Sequence, residues 1–442
     1  MSSQAEPTVS IVINTDGRCE SLARTLQALR FQTHRAVEIC VVCGPVPDGT
    51  REYVAEMAAR DRLKTAICDV GNLSVSRNLG IALAAGDYIA FIDDDAVPEP
   101  IWLEQLLAGF DTPDVAGVGG TVFQPDGRGL QFRFSSCDRF GNARHGLKQP
   151  ADAGAFPMSA HFPHVMGTNA MFRRAALVAV GGFDEEYEYY LDEADLCCRM
   201  VDAGWSIRQR SDAPVHHKFL SGAVRDREGI TVHHYAILKN QLYFSLVNGR
   251  SHATLPQILE ASRDFATGHR RAIAGHVARG TLHPQALAKF EADLDRATEH
   301  ALARGLPAKR RLPPPVSFDA PPAFLPASFA ETDDANARPR HVAIFLDEGV
   351  GESLATARER AHALAAQGDF GRLIIPVPPG WGDIGVELQE GVWHHYVAAP
   401  AGNASSPAND DTTLTRIAAY HPIDATETVR GGWLREREQA YA

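Results

Sequence analysis

The chain lacks any run of about 18 uninterrupted apolar residues, and its first ten residues, Met1 to Ser10, are polar. We therefore expect neither a membrane-spanning helix nor a secretory signal. Basic residues are not in excess, since 55 Asp and Glu against 43 Lys and Arg give a formal net charge of −12. That balance argues against nucleic acid or an anionic membrane as a main partner.

Cysteine is also scarce. Seven cysteines are scattered between Cys19 and Cys198, an odd number that fits reduced thiols better than a disulfide framework. These features predict a cytoplasmic protein. Peripheral attachment to the inner face of the membrane is the alternative. Apolar residues make up 45% of the chain and charged residues 22%, which is typical of folded globular proteins.

Strands alternate with helices through the first part of the chain. Apolar strands are predicted at 8–13, 37–42, 63–68 and 88–92, with amphipathic helices between them. This alternation predicts an α/β fold with a mostly parallel, Rossmann-like sheet, in which ligands bind beyond the carboxyl ends of the strands.

The 442 residues are enough for two or three domains. We predict an α/β domain at 1–228, a helical extension at 229–305, a proline-rich linker at 306–340 and a small α/β domain at 341–442. The helical extension is the candidate interface for a homo-oligomer. For the last domain we predict a structural or interaction role.

Three consecutive carboxylates, Asp93, Asp94 and Asp95, follow the strand at 88–92. Such neighbours repel one another unless water screens them or a divalent cation neutralises them, and hard oxygen ligands suit Mg²⁺ or Mn²⁺. A solvated acidic turn is the plain alternative. The triplet therefore predicts a metal site where a buried strand emerges.

Two further clusters complete the candidate site. Asp192, Glu193 and Asp195 open a predicted helix, where one carboxylate can accept a proton and another can hold substrate. Acidic residues also stabilise the start of any helix, so this cluster alone is weak evidence. His217 follows a short strand and, with the aspartates, would complete a carboxylate and imidazole shell suited to Mn²⁺.

The order and spacing of these motifs resemble the family 2 glycosyltransferases of the GT-A fold, over roughly residues 8–219. Further segments carry the resemblance: Ser76-Arg77-Asn78-Leu79-Gly80, Gly167-Thr168-Asn169 and Gly181-Gly182-Phe183-Asp184.

The resemblance implies a role for each matching residue. Asp93 or Asp94 would contact the ribose of a nucleotide-diphosphate sugar, and Asp95, with Asp93 and His217, would bind Mn²⁺ or Mg²⁺. Glu193 matches the catalytic base, with Asp192 as the alternative, and His216 is the alternative to His217. The remaining candidates for donor binding are Asp16, Arg77, Asn169 and Asp195.

In two places the chain departs from the family. Cys43-Gly44 replaces the usual aspartate after the second strand, and the first turn lacks the usual proline and tyrosine. Asp16 is the candidate substitute for that aspartate, and the nucleotide base stays open.

The expected activity is metal-dependent, non-processive transfer of a sugar, with inversion, to a glycan, lipid-linked or protein acceptor, in the synthesis of a cell-surface polysaccharide or glycoconjugate. Two alternatives stay open. A sugar nucleotidyltransferase would need a glycine-rich loop after the first strand, where Gly17 is the single glycine. A scaffolding subunit that binds sugar nucleotides would not need a catalytic base.

Overall fold

The computed structural model describes residues 6–125, 129–151, 155–218, 220–222, 224, 226, 230–328, 340–346, 351–377, 386–398, 423–430 and 433–437. The part of the predicted linker at 329–339, and residue 219 at the end of the family resemblance, lie outside the described residues.

Residues 6–218 contain the predicted catalytic residues, and we call this part of the chain the catalytic unit. A seven-stranded sheet, with strand order β13-β6-β12-β4-β1-β2-β3, forms its centre. All neighbouring strands are parallel except β12, which is antiparallel to β4 and β6. Its central strands are runs of Val, Ile and Phe because helices cover both faces of a parallel sheet. The strands are β1 Val9–Thr15, β2 Val37–Cys43, β3 Lys64–Ile67, β4 Tyr88–Asp93, β6 Val115–Gly119, β12 Ala170–Arg173 and β13 Ser206–Gln209.

Two small sheets lie beside the main one. The first has the order β5-β14-β7-β8 and the second the order β10-β9-β11. The strand β5, which pairs antiparallel with β14, begins one residue after the acidic triplet. The strands are β5 Ala96–Pro98, β7 Val122–Phe123, β8 Leu130–Phe132, β9 Ser135–Asp138, β10 Ala143–His145, β11 His161–Pro163 and β14 Val215–His217.

Six helices belong to the catalytic unit: α1 Cys19–Leu29, α2 Thr50–Asp61, α3 Leu73–Leu83, α4 Trp102–Leu107, α5 Arg174–Ala179 and α6 Asp192–Asp202. The predicted helical extension follows as α7 Tyr235–Asn248, α8 Leu255–Ala278 and α9 Gln285–Gly305. Leu242, Phe244 and Leu246 of α7 share one hydrophobic core with Phe91 and Phe183. The extension thus packs against the catalytic unit. None of the helices in the described ranges combines the length and the apolar character needed to cross a bilayer.

Residues 306–328 run over the surface of the catalytic unit, and we call this segment the strap. Arg310 donates to Asp195, and the aromatic ring of Phe318 is buried. Farther along, the backbone N–H of Leu325 donates to Glu38 Oε2 at 2.9 Å and that of Ala327 to the carbonyl of Val37 at 2.9 Å. The strap includes a short 3-10 turn, Pro315–Phe318, and is held to α6 near its start and to β2 near its end.

The C-terminal unit is a second α/β sheet with strand order β17-β18-β16-β15-β19-β20. Its four central strands are parallel and its two edge strands antiparallel. The predicted α/β class, the mostly parallel main sheet, the helices and the small C-terminal unit are confirmed. Its elements are β15 His341–Leu346, α10 Glu352–Ala366, β16 Phe370–Val377, β17 Val386–Gln389, β18 Val392–Ala398, β19 Ala425–Arg430 and β20 Trp433–Arg437.

Candidate active site

The acidic triplet lies at the carboxyl end of β4, in the centre of the main sheet. Asn14 of β1 pairs in register with Asp93 on the neighbouring parallel strand. The Asp93 side chain is 36% exposed, whereas those of Asp94 and Asp95 are each 3% exposed. Asp93 therefore faces the open site, and its two neighbours are packed beneath it.

The short antiparallel pair of β5 and β14 brings His217 to Asp95. In this pair, which we call the β5/β14 ladder, His217 lies opposite Ala96, the residue after Asp95. Its Nε2 lies 3.2 Å from Asp95 Oδ1 and 3.7 Å from Asp93 Oδ2. Gln131 Oε1, 2.8 Å from Nδ1, holds the opposite side of the ring. One ligand atom from each of Asp93, Asp95 and His217 lies within 4.8 Å of the others.

Those three side chains fit a divalent cation. They offer two carboxylates and one imidazole, a donor set that suits Mn²⁺ and is compatible with Mg²⁺. Burial acts to lower the pKa of His217, but its contact with Asp95 outweighs burial and raises it. Burial likewise acts to raise the pKa of Asp95, which the hydrogen bond from His217 and the charge of Arg18 nevertheless lower.

Asp94 has a different environment from its neighbours. Its Oδ2 accepts a hydrogen bond of 2.7 Å from the hydroxyl of Thr15, and its Oδ1 lies 3.1 Å from Arg18 Nη1. Burial raises the pKa of Asp94 to about 7, against the lowering effect of Arg18. Arg18 also lies 3.1 Å from Asp95 Oδ2, so this single guanidinium compensates two buried carboxylates.

The second acidic cluster stands at the start of α6 and is organised by Arg77 of α3. The buried guanidinium pairs with Asp192 and lies 3.1 Å from Glu193 Oε1. The backbone N–H of Gly167 also donates to Glu193 Oε1, at 3.1 Å. A Cβ atom at position 167 would collide with both Arg77 and Glu193, which is why glycine occupies this position.

Asp192 and Glu193 differ in exposure and in acidity. The side chain of Asp192 is 1% exposed and that of Glu193 is 21% exposed. Burial raises the pKa of Asp192 well above its usual range. Burial acts on Glu193 in the same direction, but Arg77 and the hydrogen bond with Asp192 outweigh it and lower the pKa. Glu193 is thus the more acidic and the more exposed member of the pair.

The two acidic clusters face one site. On the antiparallel strand β12, Ala170 pairs with Phe91, two residues before Asp93. Gly167, whose backbone N–H donates to Glu193, lies three residues before Ala170, so the group that holds Glu193 lies beside the carboxyl end of β4. A cavity of about 1050 Å³ adjoins Asp95 and is lined by Arg18, Arg24, Lys218 and Glu387 among other residues. The arrangement can therefore hold a cation and an anionic ligand beside an ionised carboxylate.

Three of the sequence-predicted residues lie in structural networks. Asn169 is fully buried and bonds to Trp102 and to two backbone carbonyls, those of Thr121 and Ala213. Asp195 is fully buried among Arg199, Arg310 and other donors. His216 faces Glu99, away from the triplet.

Asp16, predicted as a donor contact, is exposed in the turn after β1 and accepts a hydrogen bond of 3.1 Å from the backbone N–H of Val46. The assigned roles of these residues stay predictions.

Sequence reasoning missed Arg18 and Gln131 as parts of the site. Arg18 had a detectable signal, because loops that follow neighbouring parallel strands meet at one edge of the sheet and Arg18 follows β1. Gln131 lies in the segment from 124 to 163, where the sequence pattern is too weak to place any side chain.

Comparison with known proteins agrees with this picture. Residues 10–181 match the family model described as Glycosyl transferase family 2. The glucosyl-dolichyl phosphate glucuronosyltransferase of Haloferax volcanii is 28% identical over 239 residues, which cover 48% of this chain and 69% of that protein. The pre-mycofactocin glycosyltransferase of Mycobacterium tuberculosis H37Rv is 29% identical over 218 residues, or 47% and 42% of the two chains.

Among solved structures, a mannosyltransferase from Pyrobaculum calidifontis in complex with GDP-Man and Mn²⁺ is 17% identical, with a TM-score of 0.41 over 67% of this chain and 87% of that one. The family match includes the acidic triplet and ends before Asp192 and His217. Over the matched segment the predicted family is confirmed, and so is the predicted class of enzyme, a glycosyltransferase. Residues 10–181 of this chain therefore form a segment of the glycosyltransferase family 2 type.

Proposed function

We propose that this protein transfers a sugar from a nucleotide-diphosphate sugar to an acceptor hydroxyl, with inversion, while Asp93, Asp95 and His217 hold Mn²⁺ or Mg²⁺. The observation that carries the proposal is the approach of these three ligand atoms to within 4.8 Å of one another, at the carboxyl end of β4. A divalent ion bound there would neutralise the charge that develops on the departing diphosphate.

Glu193 is the proposed catalytic base. It takes the proton of the acceptor hydroxyl as the oxygen bonds to the anomeric carbon and the bond to the diphosphate oxygen breaks. Its lowered pKa and its partial exposure support this role, whereas Asp192 is buried and burial raises its pKa. Direct displacement by the acceptor inverts the configuration at that carbon, so no covalent sugar intermediate is needed.

Arg77 and Gly167 orient the base. The guanidinium and the backbone N–H both bind Oε1 of Glu193, at 3.1 Å each, and so restrict the carboxylate to one position. A base held in place contributes to rate mainly through proximity to the hydroxyl proton.

The acceptor class is also a proposal. The Haloferax relative is named for glucosyl-dolichyl phosphate, so a lipid-linked saccharide is the first acceptor to test, before glycans and proteins. Non-processive transfer, a role in cell-surface polysaccharide or glycoconjugate synthesis, and the cytoplasmic location stay predictions from the sequence.

A thermal-shift series with UDP, GDP, ADP, CDP and dTDP, each with and without Mn²⁺, tests donor binding. We expect one or two nucleotides to stabilise the protein only when Mn²⁺ is present. The matching sugar nucleotides are then incubated with lipid-linked and soluble saccharides, and the products and their anomeric configuration are determined by mass spectrometry and NMR.

The variant Glu193→Gln separates an enzyme from a scaffold. We expect turnover to fall by about 100-fold or more while the affinity for the donor stays within twofold. Glu260→Gln, the same change at an exposed position on α8, serves as the control and should leave turnover unchanged. Donor binding with no transfer to any acceptor, in the wild type and in Glu193→Gln alike, would favour the scaffolding alternative.

A further inference from the structure

A fully buried ion pair joins the C-terminal unit to the catalytic unit. Arg372 of β16 and Glu99, which directly follows β5, both have no solvent-exposed surface. The guanidinium binds both carboxylate oxygens, with Nη1 lying 3.3 Å from Oε1 and Nη2 in closer contact with Oε2. Removing one member of such a pair leaves an uncompensated buried charge.

Glu99 uses the same carboxylate to hold a histidine of the catalytic unit. His216 Nε2 lies 2.8 Å from Glu99 Oε1. The imidazole stacks on Phe123, with 5.3 Å between ring centroids, and lies 5.9 Å from Trp393 of β18. Side chains of both units therefore enclose His216.

The β5/β14 ladder links this contact to the candidate metal centre. The strand β5 has three residues, so Asp95 immediately precedes it and Glu99 immediately follows it. On β14, His216 pairs with Val97 and His217 with Ala96. The ladder therefore connects two pairs of side chains. Asp95 and His217 face the metal site, and Glu99 and His216 face the C-terminal unit, where Glu99 binds Arg372.

A second contact reinforces the first. The side chain of Lys218, the residue after His217, donates to the backbone carbonyl of Val386 in the C-terminal unit. The backbone N–H of Lys218 donates to the carbonyl of Asp95 at 2.8 Å. A ladder as short as this one has few hydrogen bonds of its own, so external contacts have a large share in fixing its geometry.

We propose that Arg372 is a positioning residue for the metal centre. By holding Glu99, and His216 through it, the C-terminal unit fixes the β5/β14 ladder and with it the separation of Asp95 and His217. This inference rests on the proposed function, because it assumes that these two side chains bind a divalent cation. The C-terminal unit then takes part in building the active site.

Titration of the full-length protein with Mn²⁺ alone, followed by isothermal calorimetry and by the EPR signal of the free ion, tests the inference. Residues that orient metal ligands change metal affinity by about 10-fold to 100-fold when they are substituted, so we expect Arg372→Met to weaken Mn²⁺ binding by at least about tenfold. Arg372→Lys, which keeps the charge, should recover part of the affinity.

The matched control is Arg360→Met. Arg360 Nη2 lies 2.7 Å from Glu427 Oε1, and this pair joins α10 to β19 within the C-terminal unit. The control should bind Mn²⁺ as the wild type does. Equal weakening in Arg360→Met would mean that general destabilisation, and not Arg372, lowers the affinity, and would overturn the inference.

Circular dichroism and melting curves establish which variants fold. If Arg372→Met does not fold, Glu99→Asp decides, because it keeps the charge while shortening the side chain that meets Arg372 and His216. Unchanged Mn²⁺ affinity in whichever of the two folds overturns the inference and leaves the proposed function intact. Absence of Mn²⁺ binding by the wild type overturns the proposed metal centre and this inference with it.

Discussion

Replacing Asp195 by Asn should reduce the stability of the protein without weakening donor binding. The carboxylate is fully buried and accepts hydrogen bonds from Arg199 at 2.8 Å and Asn248 at 3.0 Å, together with a closer contact from Arg310. It connects α6, α7 and the strap. A carboxylate that is enclosed in this way by hydrogen-bond donors of the protein is placed to join secondary-structure elements. The substitution tests whether it also contacts the nucleotide-sugar donor.

The size of the effect follows from the environment of the carboxylate. Burial acts to raise its pKa, but Arg310 and Arg199 outweigh burial and lower it from 3.8 to about 2. That difference corresponds to about 2 to 3 kcal/mol in favour of the folded state at neutral pH. Breaking a buried ion pair costs about 3 to 5 kcal/mol. Arg310 and Arg199 are 19% and 11% exposed, so water can partly compensate them. We therefore expect a loss of about 3 kcal/mol.

The assay is equilibrium unfolding in urea at pH 7 and at a series of lower pH values. Because the pKa is lowered in the folded state, the stabilisation is present above about pH 4 and is lost as the pH falls toward 2. Asp195→Asn should lack this part of the acid dependence. Asp295→Asn, the same change at an exposed position on α9, is the control and should unfold as the wild type does.

Donor affinity is measured in parallel with the nucleotide and Mn²⁺ identified by thermal shift. We expect Asp195→Asn to keep its affinity and Asp93→Asn to lose it at nearly unchanged stability. An unchanged urea midpoint in Asp195→Asn, or a tenfold loss of nucleotide affinity at wild-type stability, would refute the reasoning.

Three further predictions concern the site and its surroundings. Gly167→Ala should lower kcat by about 10-fold to 100-fold, because the added methyl displaces the carboxylate of Glu193. The melting temperature shows whether the variant still folds. An unchanged kcat would contradict the proposed position of the base. His217→Ala, or EDTA added to the wild type, should abolish the stabilisation by nucleotide and Mn²⁺ in a thermal-shift assay, and retained stabilisation would exclude His217 as a ligand. Burial lowers the pKa of His164 from 6.5 to about 4, so the unfolded chain takes up the proton first and stability should fall as the pH drops from 6.5 to 4. His164→Asn should remove about 3 kcal/mol of that acid dependence in urea unfolding, and an unaltered pH profile would count against it.

The place of the acidic triplet could be predicted because the carboxyl ends of strands meet at one edge of a parallel sheet. His217 instead reaches Asp95 through the antiparallel β5/β14 ladder of a separate small sheet. The same logic does not separate residues that face the site from residues that face the core. Asp192 and Asp195 are three apart on one helix, yet one meets Arg77 of α3 and the other meets Arg310 of the strap. Which cation reaches which carboxylate depends on tertiary packing, for which local pattern has no signal.

The contact between the C-terminal unit and the catalytic unit could not be predicted for the same reason. Two of the six strands of the C-terminal unit, at 341–346 and 372–377, can be predicted from apolar runs. The buried Arg372, however, has in the sequence the look of an ordinary charged residue before the run Leu373-Ile374-Ile375. Its partner Glu99 lies 273 positions away. A pairing between units so distant in the chain can be found only when both surfaces are known in three dimensions.

The strap has a practical consequence for recombinant expression. A version of the protein that stopped at residue 305 would remove Arg310 from Asp195 and would uncover the start of β2, which extends beyond its pairing with β3 and where Ala327 binds Val37. Unpaired backbone groups of a strand are a template for aggregation. The shortest fragment that keeps these contacts extends to residue 328, and any chimaera that exchanges C-terminal units should place its junction beyond that point.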